Sequence, residues 1–491
     1  DLTFSDTMLQ NVHHNILFGQ ASNLMMVPTD CDQRDERFGW TGDSALTADE
    51  ASLNFDLSSF YRNWLEMLDD SAQNGAVSCW VPGGKGHSSP PAGAGCDASW
   101  QSAYPSAAYA LMKWYGDVEA PAKYWTGLTR WLDNEFSQAQ GNVTKIKTGP
   151  GDWCPAPKVN DSSFVPEPRV TVSLSSGFSF VRDLRNMVEM ATATGNHADA
   201  TRFQERFDTV CPAYHNAWYD SENGYYGKGE QTAQVLALEL DCFPSDEIRQ
   251  KVVHALVKNV VEDHGNHTTS GIIGWRFQPD VLSANGLGDV AYALMTQTTY
   301  PSIGYEILGG LGEPATTLWE LWDGDHASPS MNSRNHIMFG GPGKWLHTYV
   351  GGIDNAPGTN GFEHILFAPP ETLIAKAVSM PARDALDTSS EPLRWSSATR
   401  AGPRGTMALF WSVEGEGLSV QVTTPPNSVG TTVIPLLGRG SVSVSITESG
   451  AKLWANGTFL PGVEGVDGAT ATASAVVIRH GSGTYDFVLT W

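Results

Sequence analysis

Long apolar runs are missing from this chain. Nowhere do about 20 apolar residues follow one another, so no membrane-spanning helix is expected and the chain reads as soluble. Basic charge is scarce: 30 Lys and Arg stand against 54 Asp and Glu, a net charge of −24. Such a surface repels a polyanion, which argues against nucleic acid as a partner, and it is compatible with a neutral ligand such as a glycan. Cysteines are few, at Cys31, Cys79, Cys96, Cys154, Cys211 and Cys242, and none forms a CxxC pair, so a zinc site is not expected. No short repeat of the solenoid kind is visible. The start, Asp1-Leu-Thr-Phe-Ser-Asp6, has neither Met nor a signal peptide, so a processed or cleaved chain is expected.

What the chain does have is aromatic surface and length. Its 17 Trp and 14 Tyr supply flat faces for sugar stacking, although most belong to a core. At 491 residues it exceeds one ordinary hydrophobic core, and two domains are expected. Cys79 and Cys96 bracket a Gly/Pro/Ser-rich stretch that a disulfide would staple, and Cys211–Cys242 is the second expected pair. Sequons begin at Asn142, Asn160, Asn266 and Asn456, which fits a secreted, extracellular glycoprotein.

To about Ile353 the pattern is a train of amphipathic helices. Ser5 is read as the cap of the first, which buries Met8, Val12, Ile16 and Leu17. Thr47-Ala-Asp-Glu50 is read as a capping box opening a second helix through Leu53, Leu57, Phe60, Trp64 and Leu68. A third ends at Gly116, and Pro121 stands near the start of a fourth. Further helices are expected at 175–194, 198–219, 231–240, 246–262, 289–298, 302–309 and 334–350. Helices joined by long Gly/Trp-rich loops favour a closed α/α barrel with its loops converging at one mouth. After Phe362 the period falls to two: Leu418–Val422, Val442–Ile446 and Thr484–Trp491 read as strands of a β-sandwich. Asp354–Gly361 is taken as the linker, dividing the chain into 1–355 and 356–491.

Asp30 to Asp43 is the densest chemistry, five carboxylates and two arginines interleaved with Phe38, Trp40, Gly39 and Gly42. Seven charges do not suit a buried structural segment. Glycoside hydrolysis needs one carboxylic acid for the leaving oxygen and a second carboxylate to attack the sugar or activate water. Asp30, Asp32, Asp35, Glu36 and Asp43 are all candidates for the acid, and spacing alone does not choose among them. Glu320, between Trp319 and Trp322, is a candidate partner, with Asp323 close by. It weighs about equally as a helix-end carboxylate held by a backbone amide. Ser333-Arg-Asn-His336, the turn Gly151-Asp152-Trp153-Cys154 and Trp100 complete the set. The chemistry calls for no cofactor and no metal.

These motifs resemble glycoside hydrolase family 78, the inverting α-L-rhamnosidases. Asp30–Asp43 is similar to that family's signature of an Asp-Cys-Pro-Gln-Arg-Asp-Glu-Arg run leading into Gly-Trp-Thr-Gly-Asp. Tyr300-Pro-Ser-Ile-Gly-Tyr305 with Thr316-Thr-Leu-Trp-Glu320 resembles the second, Asn335-His336 and Trp345-Leu346 the segment after it. Leu453-Trp-Ala-Asn-Gly457 and Pro461-Gly-Val-Glu464 resemble the C-terminal β-domain. The likeness runs over nearly the whole chain. It implies a mainly α protein, an (α/α)6 barrel followed by a β-sandwich, acting on terminal α-L-rhamnosyl residues of glycosides or polysaccharides. It further implies Glu36 as general acid and Glu320 as general base, with carboxyls about 6.5–9.5 Å apart. Asp30, Arg34, Trp40 and Asp43 would line the rhamnose pocket, and Trp100, Trp153 and His336 would also touch the sugar.

Four features depart from the family. Asp32 replaces the usual Pro, Leu321 replaces the Arg that commonly follows the base, and Trp100 lacks the Asp that often follows it by two residues. The β-domains usually preceding the barrel are not in the sequence and are expected to be removed or to form a separate partner chain. The departures keep two alternatives open: a catalytically idle carbohydrate-binding relative, and a hydrolase for a related sugar. Other signals are weak. His13-His14 reads as structural, and Gly340-Gly-Pro-Gly-Lys344 lacks the Ser or Thr of a phosphate loop. Cys31 reads as a packing thiol or half-disulfide.

Overall fold

Two kinds of helix alternate along the first 350 residues, and the difference is written in their polar content. The computed structural model describes residues 1–32, 36–72, 75–83, 96–139, 149–157, 167–324, 333–380, 392–415 and 417–491. In chain order its helices are α1 (Thr7–Ser22), α2 (Thr41–Asn54), α3 (Ser58–Ser71), α4 (Ala98–Gln101), α5 (Ala103–Tyr115), α6 (Glu119–Lys123) and α7 (Trp125–Ala139). They continue as α8 (Val172–Ala193), α9 (His197–Trp218), α10 (Gln231–Leu240), α11 (Asp246–Val257), α12 (Ile272–Ala284), α13 (Gly288–Met295) and α14 (Ile303–Ile307). Helix α10 buries nine of its ten residues, whereas α9 buries four of 22. A helix apolar or small all round belongs inside, and one with a single apolar stripe belongs outside. Accordingly α2, α5, α8, α10 and α12 pack in a ring that helical turns between Ile337 and Val350 close. Helices α1, α3, α9, α11 and α13 back them from outside.

Several local expectations change. Asp6, not Ser5, caps α1, its Oδ1 accepting from Leu9 N at 2.7 Å. Thr47 lies within α2 and donates back to the Asp43 carbonyl at 2.9 Å, so it opens no helix. The stretch read as one helix is two, broken at Phe55–Leu57. Gly116 ends α5 in the left-handed region (φ 68°), as its position suggests. Helix α12, absent from the sequence reading, is fully described.

The β part forms two sheets. The larger has order β1-β6-β7-β8-β15-β10-β11-β12, where β1 is Leu2–Phe4, β6 Trp395–Gly402, β7 Gly405–Glu414, β8 Gly417–Thr424, β10 Ser445–Glu448, β11 Ala451–Ala455, β12 Thr458–Phe459 and β15 Gly483–Thr490. The smaller has order β13-β14-β9-β5-β4: β4 Ile353–Asn355, β5 His364–Phe367, β9 Val429–Pro435, β13 Val466–Ala471 and β14 Ala475–His480. Strands β2 (Tyr219–Asp220) and β3 (Tyr225–Tyr226) make a small hairpin on the helical side. The segment taken as a linker is the β4–β5 hairpin, with Asp354 opposite Leu366, so a cut after residue 355 separates paired strands. Val442 lies in a 3-10 turn, and only the end of Val442–Ile446 is strand. The N-terminal β1 pairs with β6, and Trp411 donates to the Val350 carbonyl at 3.1 Å, tying the sheets to the barrel. Both expected disulfides are present, Cys79–Cys96 and Cys211–Cys242, and the buried Cys31 and Cys154 belong to neither.

Candidate active site

The Asp30–Asp43 segment is pinned at both ends before it enters α2. Asp30 N–H donates to the Phe38 carbonyl at 3.0 Å, and Phe38 N–H returns to Asp30 Oδ1 at 2.8 Å. The Asp30 carbonyl accepts from Ile337 N–H at 3.2 Å, and Cys31 pairs with His336 in a single antiparallel bridge. Val81 N–H donates to Gly39 and Thr41 N–H to Cys79, both at 2.9 Å. Between these anchors the Trp40 indole lies edge-on to Trp80 (5.0 Å) and donates to Glu36 Oε1 at 2.6 Å. Arg34 and Asp35 lie outside the described residues, as do the sequons at Asn142 and Asn160.

Glu320 and His336 come from the stretch just before Ile337, beside the Asp30 segment, and are held by each other's backbone. Glu320 N–H donates to the Ser333 carbonyl (2.8 Å), Ser333 N–H to Glu320 Oε2 (2.9 Å), and His336 N–H to the Leu318 carbonyl (2.8 Å). His336 Nε2 reaches Asp43 Oδ1 at 2.9 Å, and its Nδ1 lies 3.9 Å from Glu320 Oε2. Burial opposes a charged imidazole here, but Glu320, Asp43 and Cys31 outweigh it and hold His336 well above its ordinary value. Asp30 is raised too, by burial, to about 6, with His336 opposing. Glu320 thus accepts from a backbone amide, as expected, but it stands in a bend and not at a helix end, and it also lines the cavity.

The aromatic wall rests on two buried carboxylates that the sequence reading passed over. Asp97 caps α4, accepting from Ser99 N–H at 2.8 Å, and its other oxygen accepts from Gly151 N–H at 3.0 Å. Asp152 accepts from the N–H groups of Gly271, Ile273 and Gly274 at 2.9–3.0 Å and from the Thr232 hydroxyl at 2.6 Å. It thereby caps α12 and fixes the turn that presents Trp153. Burial raises both carboxyls despite these bonds. Gly42, one residue into α2, breaks nothing: a Cβ there would stand 2.5 Å from Trp100 Cδ2 and 2.6 Å from its Nε1, so only glycine lets this indole lie on the helix. The Cys79–Cys96 disulfide joins the segment carrying Trp80 to the one carrying Asp97 and Trp100.

Together Glu36, Trp40, Asp43, Trp100, Trp153, Glu320 and His336 line one cavity of about 170 Å³, joined by Pro150 and Met338, which sequence reasoning missed. Asp30 is fully buried behind it and does not line it. Asp32 is half-buried, and Leu321 is buried in the core. Asp43 stands in the first turn of α2, whose N-terminal partial positive charge favours its carboxylate. Two glutamates from distant parts of the chain, lining one cavity with three indoles, can address a neutral polyhydroxylated ring with acid and base.

Fold and site define the class as a six-hairpin glycosidase barrel with an appended β-domain. Residues 1–350 match the bacterial α-L-rhamnosidase six-hairpin glycosidase domain, and residues 352–448 match the bacterial α-L-rhamnosidase C-terminal domain. A Streptomyces avermitilis α-L-rhamnosidase is 30% identical over 436 residues, covering 87% of this chain and 38% of that protein. The structure of α-L-rhamnosidase from Dictyoglumus thermophilum superposes with a TM-score of 0.84 at 29% identity, over all of this chain and 50% of its own. The Streptomyces avermitilis structure, complexed with L-rhamnose, gives 0.80 at 27% identity, covering 99% and 42%. This chain thus spans half or less of the length of these relatives. It belongs to the α-L-rhamnosidase family, glycoside hydrolase family 78.

Proposed function

We propose that the chain hydrolyses terminal α-L-rhamnosyl residues of glycosides or polysaccharides with inversion. Glu36 protonates the leaving oxygen while Glu320 takes a proton from the attacking water. The observation that supports this best is the meeting of Glu36 and Glu320, 284 positions apart by subtraction of their numbers, on one small cavity under Trp40, Trp100 and Trp153. The indoles cover the apolar sugar face and the methyl group, and Asp43 accepts from a hydroxyl. Asp30 acts from behind, orienting the loop. His336, charged between Asp43 and Glu320, fixes both carboxylates in place. The rhamnose complex of the Streptomyces avermitilis relative supports this sugar. A secreted location is also proposed, supported by two disulfides and by sequons at Asn266 and Asn456 in described turns.

Anomeric NMR on an aryl α-L-rhamnoside tests activity, sugar and stereochemistry together. First appearance of the β-anomer is the expected result. Retention, or no turnover with measurable rhamnose binding, overturns the reading in favour of another mechanism or an idle carbohydrate binder.

A further inference from the structure

The floor beneath the cavity gathers three side chains of metal-ligating type. One donor atom from each of Asp30, Cys31 and His336 lies within 4.8 Å of the others, and all three residues are buried. Asp30 and His336 are each anchored at one side-chain atom, and both interact with Cys31. Asp30 Oδ1 accepts from Phe38 N–H while Oδ2 has no hydrogen bond among the described residues. His336 Nε2 is tied to Asp43 while Nδ1 has none. Cys31 is a free thiol set against both. A carboxylate on one imidazole nitrogen with the other nitrogen open is the arrangement that orients metal-binding histidines. Sulfur, nitrogen and oxygen from three side chains suit zinc and its softer congeners. Glu320 Oε2 lies 3.9 Å from Nδ1.

We propose that Asp30, Cys31 and His336 bind one soft divalent cation of the zinc and cadmium class, and that its occupancy closes the sugar pocket. Binding forms three metal bonds, to Asp30 Oδ2, Cys31 Sγ and His336 Nδ1, and the thiol and imidazolium protons leave to buffer. Bonds of about 2.3 Å to sulfur and 2.0–2.2 Å to nitrogen and oxygen place tetrahedral donors about 3.3–3.6 Å apart. A pair at the 4.8 Å limit must therefore close by about 1.2–1.5 Å, which side-chain torsions supply. The blocking half rests on the proposed function, because it removes His336 and Glu320 from the sugar; the binding half does not.

The test is a titration of the intact chain with Cd²⁺, followed by the thiolate-to-cadmium absorption band, with Zn²⁺ as competitor. One equivalent is expected, with the band lost and Zn²⁺ affinity lowered at least tenfold in Cys31→Ser, and unchanged in Cys154→Ser. Cadmium NMR of the wild-type protein, showing a single sulfur ligand, needs no variant. No band at one equivalent, or the same band and affinity in Cys31→Ser, overturns the site. Zn²⁺ is further expected to inhibit aryl rhamnoside hydrolysis, with L-rhamnose protecting. Binding without inhibition overturns the blocking half, and a chain inactive on rhamnosides leaves the absorption result standing by itself.

Discussion

Gly42→Ala isolates the seating of Trp100 from the rest of the site. In an exposed helix this change stabilises by about 1 kcal/mol through propensity. Here the new methyl would lie 2.5 Å from Trp100 Cδ2 and 2.6 Å from Nε1, against the roughly 3.5–4.0 Å that carbon contacts require. The indole must retreat by about 1 Å or more. Overpacking costs about 1–3 kcal/mol, so the net loss of stability is about 0–2 kcal/mol and the protein still folds. A displacement of that size in a positioning group costs up to about 100-fold in rate. Turnover and binding of an aryl α-L-rhamnoside, read beside a thermal melt, are therefore expected to separate: kcat/KM falls about 10–100-fold while the melt moves little. Adding Trp100→Ala to Gly42→Ala removes the clash, so the double variant matches Trp100→Ala alone. Full activity in Gly42→Ala refutes the claim that this glycine exists to admit the indole.

The architecture was legible where the information is local, and the site where it is contiguous. Helix α10 (Gln231–Leu240) coincides with its expected span because its apolar run ends at residues that stop it locally. Helix α12 escaped because Gly274, Pro279 and an all-round apolar composition leave no amphipathic period, and its N-cap arrives from Asp152, 119 positions earlier than Gly271. Chain-local reading likewise misplaced the first cap, since Ser5 and Asp6 are equally good caps until Tyr292 donates to the second oxygen of Asp6. The linker failed for the same reason: Gly, Asn and Pro mark a hairpin turn as well as a hinge, and only pairing of Asp354 with Leu366 decides. At the site, spacing left five carboxylates equivalent. What separates three of them is the folded loop: Asp30 accepts from the Phe38 amide in the interior, Asp43 meets His336, and Glu36 accepts from the Trp40 indole at the cavity.

Glu36→Gln and Glu320→Gln are each expected to lower kcat by orders of magnitude with unchanged melting. Near-normal hydrolysis by either removes its assigned role. Replacing Cys211 and Cys242 by Ser opens a loop of 31 residues. Loop entropy predicts a loss of about 3.7 kcal/mol, read by denaturant unfolding, and a midpoint equal to wild type counts against it. Asp152→Ala strips four donors of their acceptor, and about 3–5 kcal/mol of destabilisation is expected, measured the same way. Stability should also fall as pH rises from about 6 to 8. Burial raises the Glu50 and Glu135 carboxyls to about 8 and that of Asp183 to about 7, so all three are neutral in the fold at pH 6. Unfolded, they titrate near 4. A raised carboxyl contributes fully below the unfolded value and loses its contribution as pH climbs to the folded one. On the acid side the signs reverse: burial lowers His13 to about 4, and its contribution is lost as pH falls below about 6.5. Asp49, buried but held to about 2 by Arg276, Arg182 and Lys344, loses its contribution only below about 4. The melting temperature is therefore expected to drop between pH 6 and 8 and to drop less in Glu50→Gln, because an amide carries no proton to lose. A wild-type melting temperature that is flat or rises over that window refutes the assignment of these carboxyls as neutral in the fold.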